Sequence, residues 1–360
     1  MTRLSRVVGF IMIACVAAIL VWRSADLFPE TQQPLRDRAW ANAGSPEQAV
    51  VSQLEEHLSE RHVDGDRLLR HVEALSVIRH SESERGQAKQ YIMEQLQLAG
   101  WRPEAYEFSA SITSDQGRGV NIVATQPDPA SDIDPVTDSV TDSAPGAILL
   151  GAHYDTVAGS PGADDNASAV AVVLELARLL ADVPTRHPLT IALFDLEETG
   201  LLGSTAFVET LGRSPNIEGA VILEMMGYAC YEAGCQTYPS VLPVEPPSDT
   251  GNFLAVVGDL GHSFIVDAFR SSATALQDTD KVPDVYTLQV PTLGRLTPDL
   301  FRSDHVPFWR SGIGAVMVTD TANFRNPHYH QSSDRPDTLD MDFLTGSAGI
   351  TLRAIAHLLS

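Results

Sequence analysis

Six short apolar runs rich in β-branched residues constrain this chain more than any other feature: GVNIVAT (119–125), AILLGAHYD (147–155), LTIALFDLE (189–197), AVILEMMG (220–227), FLAVVG (253–258) and GAVMVTD (314–320). Segments with helical spacing lie between or after them, at about 167–181, 201–211, 262–275 and 341–359. Near-continuous apolar strands alternating with helices predict an α/β domain, with a mostly parallel central sheet covered by helices on both faces. Two more helices are predicted ahead of the first strand. Asp66–Ile78 places Leu68, Leu69, Val72 and Leu75 at helical spacing, and Glu84–Ala99 does the same with Tyr91, Ile92 and Leu96 before stopping at Gly100.

The ends of the chain read differently. Between Arg6 and Arg23 runs the uncharged stretch Val7 to Trp22, so residues 1–23 are expected to be a signal-anchor or a signal peptide. The basic flank then stays in the cytoplasm and the remainder is exported, anchored at the membrane or secreted if the segment is cut. Residues 24–60 read as a stalk, and 61–360 as one domain. Inside it, residues 127–146 carry the doublet VTDS-VTDS without apolar periodicity and are expected to form a flexible surface insertion. Cys230 and Cys235, the only cysteines outside the apolar run, are expected to close a small disulfide loop in an oxidising compartment. A structural zinc on them would need further ligands nearby, which the sequence lacks.

Charge narrows the partners. With 24 Lys+Arg against 47 Asp+Glu the formal charge is −23, which works against nucleic-acid binding. Several common catalytic signatures are absent: HExxH, GxSxG, a Walker loop, and GxGxxG after a strand. Instead, acids and histidines gather at strand ends, where open α/β sheets bind their ligands. His153 ends one run with Asp155 two residues on, which suits either a structural histidine or a metal ligand steadied by a carboxylate. Asp164-Asp165-Asn166 leads into a helix and reads as an N-cap or as a ligand source. Glu197-Glu198 follows the next run, where adjacent buried acids are costly unless they bind metal or move protons. Glu224 sits within an apolar strand and needs a partner. Arg302-Ser303-Asp304-His305 and Asn326-Pro327-His328-Tyr329-His330 flank the last run. Nitrogen and oxygen donors without thiolate suit zinc and related divalent metals.

Five segments, GAHYDTVAGSPGADDNASA, LFDLEETGLLGS, LEMMGY, RSDHVPFW and NPHYHQSSDRPDTLD, make residues 62–360 resemble the dizinc exopeptidases related to aminopeptidase Y. That family includes bacterial secreted aminopeptidases and glutaminyl cyclases. The resemblance implies that His153, Asp165 and Glu224 hold one Zn²⁺, and that Asp165, Glu198 and His330 hold a second, with Asp165 bridging. It further implies Glu197 as general base, Asp155 as the partner that orients His153, and Tyr329 as a group steadying the oxyanion. His305 and His328 are left as pocket or structural residues. Many members have Asp where this chain has Glu224, so occupancy of the first site is open between two metals and one. The implied function is a zinc aminopeptidase acting on peptides with a free N-terminus. The alternatives are a glutaminyl cyclase and a non-catalytic, membrane-tethered binding protein. Side-chain preference is assigned to the loop at 228–252 and the region Phe301–Trp309.

Overall fold

The computed structural model describes residues 61–109, 118–126, 145–210, 216–240, 244–276, 282–291 and 298–360. The N-terminal segment, the stalk up to residue 60 and residues 127–144 of the insertion lie outside the described residues. Among the described residues, no helix is long and apolar enough to cross a membrane.

The chain enters through α1 (Gly65–Leu75), capped by Asp64, whose Oδ1 accepts from Arg67 N. Next is α2 (Glu82–Leu98), begun by a capping box in which Ser81 and Glu84 satisfy each other's free N–H groups. Then follow β1 (Arg102–Phe108), β2 (Gly119–Thr125), β3 (Ala147–His153), α3 (Ala169–Leu180), β4 (Leu189–Phe194), α4 (Leu202–Thr210) and β5 (Ile217–Glu224). The C-terminal half adds β6 (Phe253–Asp259), α5 (Ser263–Leu276), β7 (Asp284–Val290), α6 (His305–Arg310), β8 (Gly314–Thr319) and α7 (Met341–Leu359).

Among the described residues, the strands form one mixed sheet in the order β1-β2-β4-β3-β5-β8-β6-β7. Its centre, β4-β3-β5-β8, is parallel throughout, as the apolar runs predict. β3, β4 and β8 are buried along their whole lengths because helices cover both faces. One face packs on α1, α2, α3, α5 and α7, and the other on α4 and α6. Each Leu or Ile removed from water there contributes about 1.5–3 kcal/mol. Antiparallel pairing enters toward the sides, where β2 meets β1 and β4, and β6 meets β8.

β1 and β7, which the apolar pattern does not reveal, are the two edges. Most of β1 is exposed and β7 is mainly half-buried, so their extended shape comes from pairing with a neighbour rather than from their own composition. Cys230 and Cys235 are joined in a disulfide, as their spacing predicts. The loop they close is tied back by paired hydrogen bonds between Cys230 and Gly251.

Candidate metal centre

His153, Asp165, Glu198, Glu224 and His330 come from five separate segments and meet beyond the C-terminal ends of β3, β4 and β5. His153 is the last residue of β3 and is 1% exposed. Its Nε2 lies 3.3 Å from Asp165 Oδ1 and 3.6 Å from Glu224 Oε1. The other Asp165 oxygen, Oδ2, lies 3.2 Å from His330 Nε2, which is also 3.1 Å from Glu198 Oε2. Asp165 therefore offers one oxygen to each histidine, the division that the bridging role requires. Ligand atoms of His153, Glu197 and Glu224 lie within 4.8 Å of one another, as do those of Asp165, Glu198 and His330. Glu197 thus belongs to the first of these clusters, with its Oε2 4.0 Å from His153 Nε2.

The backbone around these candidate ligands is held by side-chain hydrogen bonds. Asp155 accepts from the backbone N–H of Glu197 at 3.0 Å and of Glu198 at 3.2 Å, so one carboxylate positions both glutamates. Asp155 Oδ1, the oxygen that accepts from Glu197 N, lies 3.4 Å from His153 Nδ1. Asn166 pins the end of β5, donating to Leu223 O and accepting from Met225 N on either side of Glu224. Asp334 accepts from the N–H groups of both Asp164 and Asp165. Leu196, Met225 and His330 have φ of 58°, 49° and 60°, which costs a non-glycine residue on the order of 1 kcal/mol or more. Each of these residues is a candidate ligand or stands next to Glu197 or Glu224.

The structure separates the two acids that the sequence left side by side. Asp164 is fully buried and saturated: Oδ1 accepts from Ser168 Oγ and Gly227 N, and Oδ2 from Asn326 Nδ2. It fastens the loop, while Asp165 faces the histidines. The helix-capping alternative does not hold, since Ser168 at the start of α3 makes no side-chain cap bond and Asn166 points to β5.

The electrostatics match a cation site. Burial pushes the Glu197 carboxyl well above its ordinary range, with Glu224, Asp304 and Glu198 adding to the rise and His153 opposing it. Burial and the neighbouring Asp165 lift Glu198 to about 8. Burial works against protonation of His330, but its bonds to Asp165 and Glu198 outweigh that and lift it to about 10. Both ring nitrogens of His153 and Glu198 Oε1 are buried without a properly directed hydrogen bond, despite carboxylate oxygens at 3.3–3.6 Å from the histidine. Buried lone pairs that converge without donors fit divalent cations, and the mixed imidazole and carboxylate set fits zinc.

Tyr329 stacks on His330 with ring centroids 3.8 Å apart, and its hydroxyl accepts from Arg302 Nη2 at 3.0 Å. His328 bonds Ser333 and meets Tyr228 edge-on. His305 is fully buried in the core, its Nε2 bonded to Leu300 O and its ring edge-on to Trp309 at 4.4 Å. Burial pulls His305 down to about 4. Its folded pKa is thus below the unfolded value of about 6.5, so this stabilisation is complete above pH 6.5 and is lost as pH falls toward 4. Urea unfolding at pH 7 and pH 4.5 should show the native chain losing about 2–3 kcal/mol more than His305→Gln across that interval. Parallel losses in the two proteins would contradict the assignment.

Sequence reasoning gave no role to Ser303, which donates to Glu224 Oε2 at 2.6 Å and fixes the longer side chain that departs from the family pattern. Arg302 and Asp304, the latter buried and bonded to Ser204, were singled out in the same cluster without a role, and Asp334 was given none either. The RSDH motif was the available signal for Arg302, Ser303 and Asp304.

A cavity of about 710 Å³ opens onto the centre, reaching Glu197, Glu198, Glu224 and His330. Its floor is the face of β6, β7 and β8 turned away from α5, with Val257, Leu288 and Met317. Gln236–Pro239, Val244, Glu245, Pro247 and Phe301–Ser303 line the walls, within the two regions to which specificity was assigned, and Asp299 and Leu300 extend the second of them.

A sequence profile of peptidase family M28 matches residues 136–355. The uncharacterized protein YfbL of Escherichia coli is 34% identical over 206 residues, covering 54% of this chain and 61% of its own length. Aminopeptidase YwaD of Bacillus subtilis is 28% identical over 222 residues, covering 59% of this chain and 41% of that protein. The chain thus spans less than two thirds of the length of these curated relatives. The Legionella pneumophila LapA aminopeptidase superposes with a TM-score of 0.60 at 18% identity, covering 88% of this chain and 76% of that one. A glutaminyl cyclase from Macrostomum lignano gives 0.60 at 16% identity, covering 88% of this chain and 94% of that one. At these identities the structures share a fold with this chain.

Proposed function

Because this chain belongs to peptidase family M28, we propose that it is a zinc-dependent aminopeptidase that removes apolar N-terminal residues from peptides. The observation that carries the reading is the placement of Asp165 between His153 and His330, one oxygen toward each at 3.3 and 3.2 Å, with Glu197, Glu198 and Glu224 clustered around them. His153, Asp165 and Glu224 would hold one cation, and Asp165, Glu198 and His330 the other. Zinc ions bound there would supply Lewis acidity, lowering the pKa of water and polarising the scissile carbonyl.

The protein's own groups do the rest. Glu197 Oε2 takes the proton of the attacking water and returns it to the leaving amine, and burial raises its affinity for that proton. Asp155 keeps Glu197 and Glu198 in place through their backbone N–H groups. Because Tyr329 Oη already accepts from Arg302, its own hydrogen is free to donate to the developing oxyanion. The carboxylates attract a cationic substrate amine, and the apolar cavity takes the side chain beside it.

Assay of the purified protein on aminoacyl chromogenic substrates and a Gln-peptide, with and without a chelator, tests this reading. Leu and Phe substrates should be cleaved several-fold faster than Ala or Asp ones, and only without chelator. Chelator-insensitive cleavage would sink the metal mechanism, and ammonia release from the Gln-peptide alone would replace hydrolysis by cyclisation. Retention of Glu197 and all five ligands in contact speaks against a non-catalytic binding protein.

We also propose that the domain works outside the cytoplasm, on a stalk at residues 24–60 behind the apolar segment 7–22. The basic flank of that segment and the disulfide support this. Thiol titration of the denatured, unreduced full chain should find one reactive cysteine, Cys15, of the three present. Three reactive thiols would contradict an oxidising compartment. Protease added to spheroplasts should also digest the domain, and its survival would rule out export.

A further inference from the structure

Arg79, between α1 and α2, is 1% exposed, yet no carboxylate among the described residues pairs with it. Its five side-chain hydrogen bonds all go to main-chain carbonyls. Nε donates to Tyr154 O at 2.7 Å; Nη1 to Leu75 O, to Val77 O at 3.0 Å and to Pro161 O at 2.9 Å; and Nη2 to Gly162 O at 3.1 Å. Gly162 has to be glycine, since its φ is 61° and a Cβ there would lie 2.9 Å from Arg79 Nη2 and 2.2 Å from Asp165 O.

A guanidinium buried this way is costly unless something offsets its charge. Burial pulls Arg79 down to about 10, so it stays charged at neutral pH. The compensation comes through space, from Asp165, Asp155, Asp334 and Glu198. Two of these acids are candidate ligands and the other two hold the ligands' backbone. The carbonyls that Arg79 grips, Tyr154 and Gly162, lie next to His153 and three residues before Asp165. The charge therefore sits behind the centre, on the side away from the cavity, whose lining it does not join.

We propose that Arg79 is the fixed counter-charge of the acid cluster: a positioning residue that steadies the metal-free centre and opposes bound cations, so that metals are held less tightly than the ligands alone would hold them. This rests on the metal reading above. A positive charge that attracts the carboxylates repels a dication among them. A group that favours the metal-free form over the loaded form weakens binding by the same factor.

The test is zinc affinity, by competition with a chelating dye, and Tm with and without zinc, for the full chain and three variants. Arg79→Met and Arg79→Gln remove the charge, and Arg79→Lys keeps it while giving up bonds to the carbonyls. Both neutral variants should bind zinc tighter by roughly 100- to 1,000-fold, the scale of one charge acting on a dication at on the order of 10 Å and an effective dielectric constant of about 20. Zinc should also raise their Tm by more than it raises that of the native chain. Arg79→Lys should keep native zinc affinity even where both of its Tm values fall. A residue that merely held loops together would lower both Tm values equally and leave zinc affinity unchanged or weaker. That result in the neutral variants would overturn the proposal, as would an Arg79→Lys affinity that follows theirs. Neutral variants that fold only with zinc present would support it, and ones that fail even with zinc would overturn it. A native chain that binds no zinc would instead overturn the metal reading itself.

Discussion

Glu197→Gln should cut turnover on an aminoacyl substrate by roughly 10²- to 10⁴-fold, the range for removing a general base, while the protein keeps its zinc. The two glutamates are neighbours in sequence but have different work. Glu198 Oε2 lies 3.1 Å from His330 Nε2 within the second ligand group, and Glu197 stands at the edge of the first. Gln is isosteric with Glu and keeps an oxygen toward His153, but it cannot take a proton. Metal content by elemental analysis should therefore match that of the native chain even as kcat collapses, and KM should change little. Glu198→Ala should do the opposite at the step that matters, losing metal first and activity as a result. Near-native turnover in Glu197→Gln would remove Glu197 from the mechanism.

The second large effect belongs to Asp165. Both of its oxygens are engaged, one toward each histidine at 3.3 and 3.2 Å, so Asp165→Ala removes a ligand from both groups at once. Zinc affinity should fall by more than the ~10- to 100-fold typical of losing a supporting partner, and activity should drop below detection at ordinary zinc concentrations. Equilibrium dialysis followed by metal analysis checks this directly. Two full equivalents retained by Asp165→Ala would refute the bridging arrangement. Loss of one equivalent with the other kept would limit Asp165 to a single site.

Much of this centre was legible before any geometry was available, for an identifiable physical reason. Buried parallel strands are apolar along their whole length, so Asp, Glu or His at the ends of β3, β4 and β5 stands out against its surroundings. Asp155, Glu197 and Glu224 could be singled out on that ground. The choice of Asp165 over Asp164, and the pairing of ligands into two groups, came from resemblance. The residues alone left that question open, since either acid could have capped the following helix. Ser303 and Asp334 escaped because a hydroxyl or carboxylate that serves another side chain leaves no periodic trace. Arg79 escaped for a stronger reason: its partners are all carbonyls, which every residue carries. The edge strands β1 and β7 were missed because hydrogen bonding to a neighbour, and not an apolar face of their own, makes them strands.

The floor of the cavity belongs to β6, β7 and β8, and much of its wall to Gln236–Pro239 and Asp299–Ser303, whereas four of the five candidate ligands and Glu197 come from segments joined to β3, β4 and β5. Most of the cavity wall and most of the candidate centre thus come from different stretches of chain, joined through the pairing of β5 with β8 and through the bond from Ser303 to Glu224. Loops can lengthen, shorten or change sequence with small thermodynamic penalty. Drift around Gln236–Pro239 could therefore reshape the cavity without touching the candidate centre, whereas Arg302 and Ser303 are tied to Tyr329 and Glu224 and are less free to change. The former stretch is where an engineer would graft a new preference.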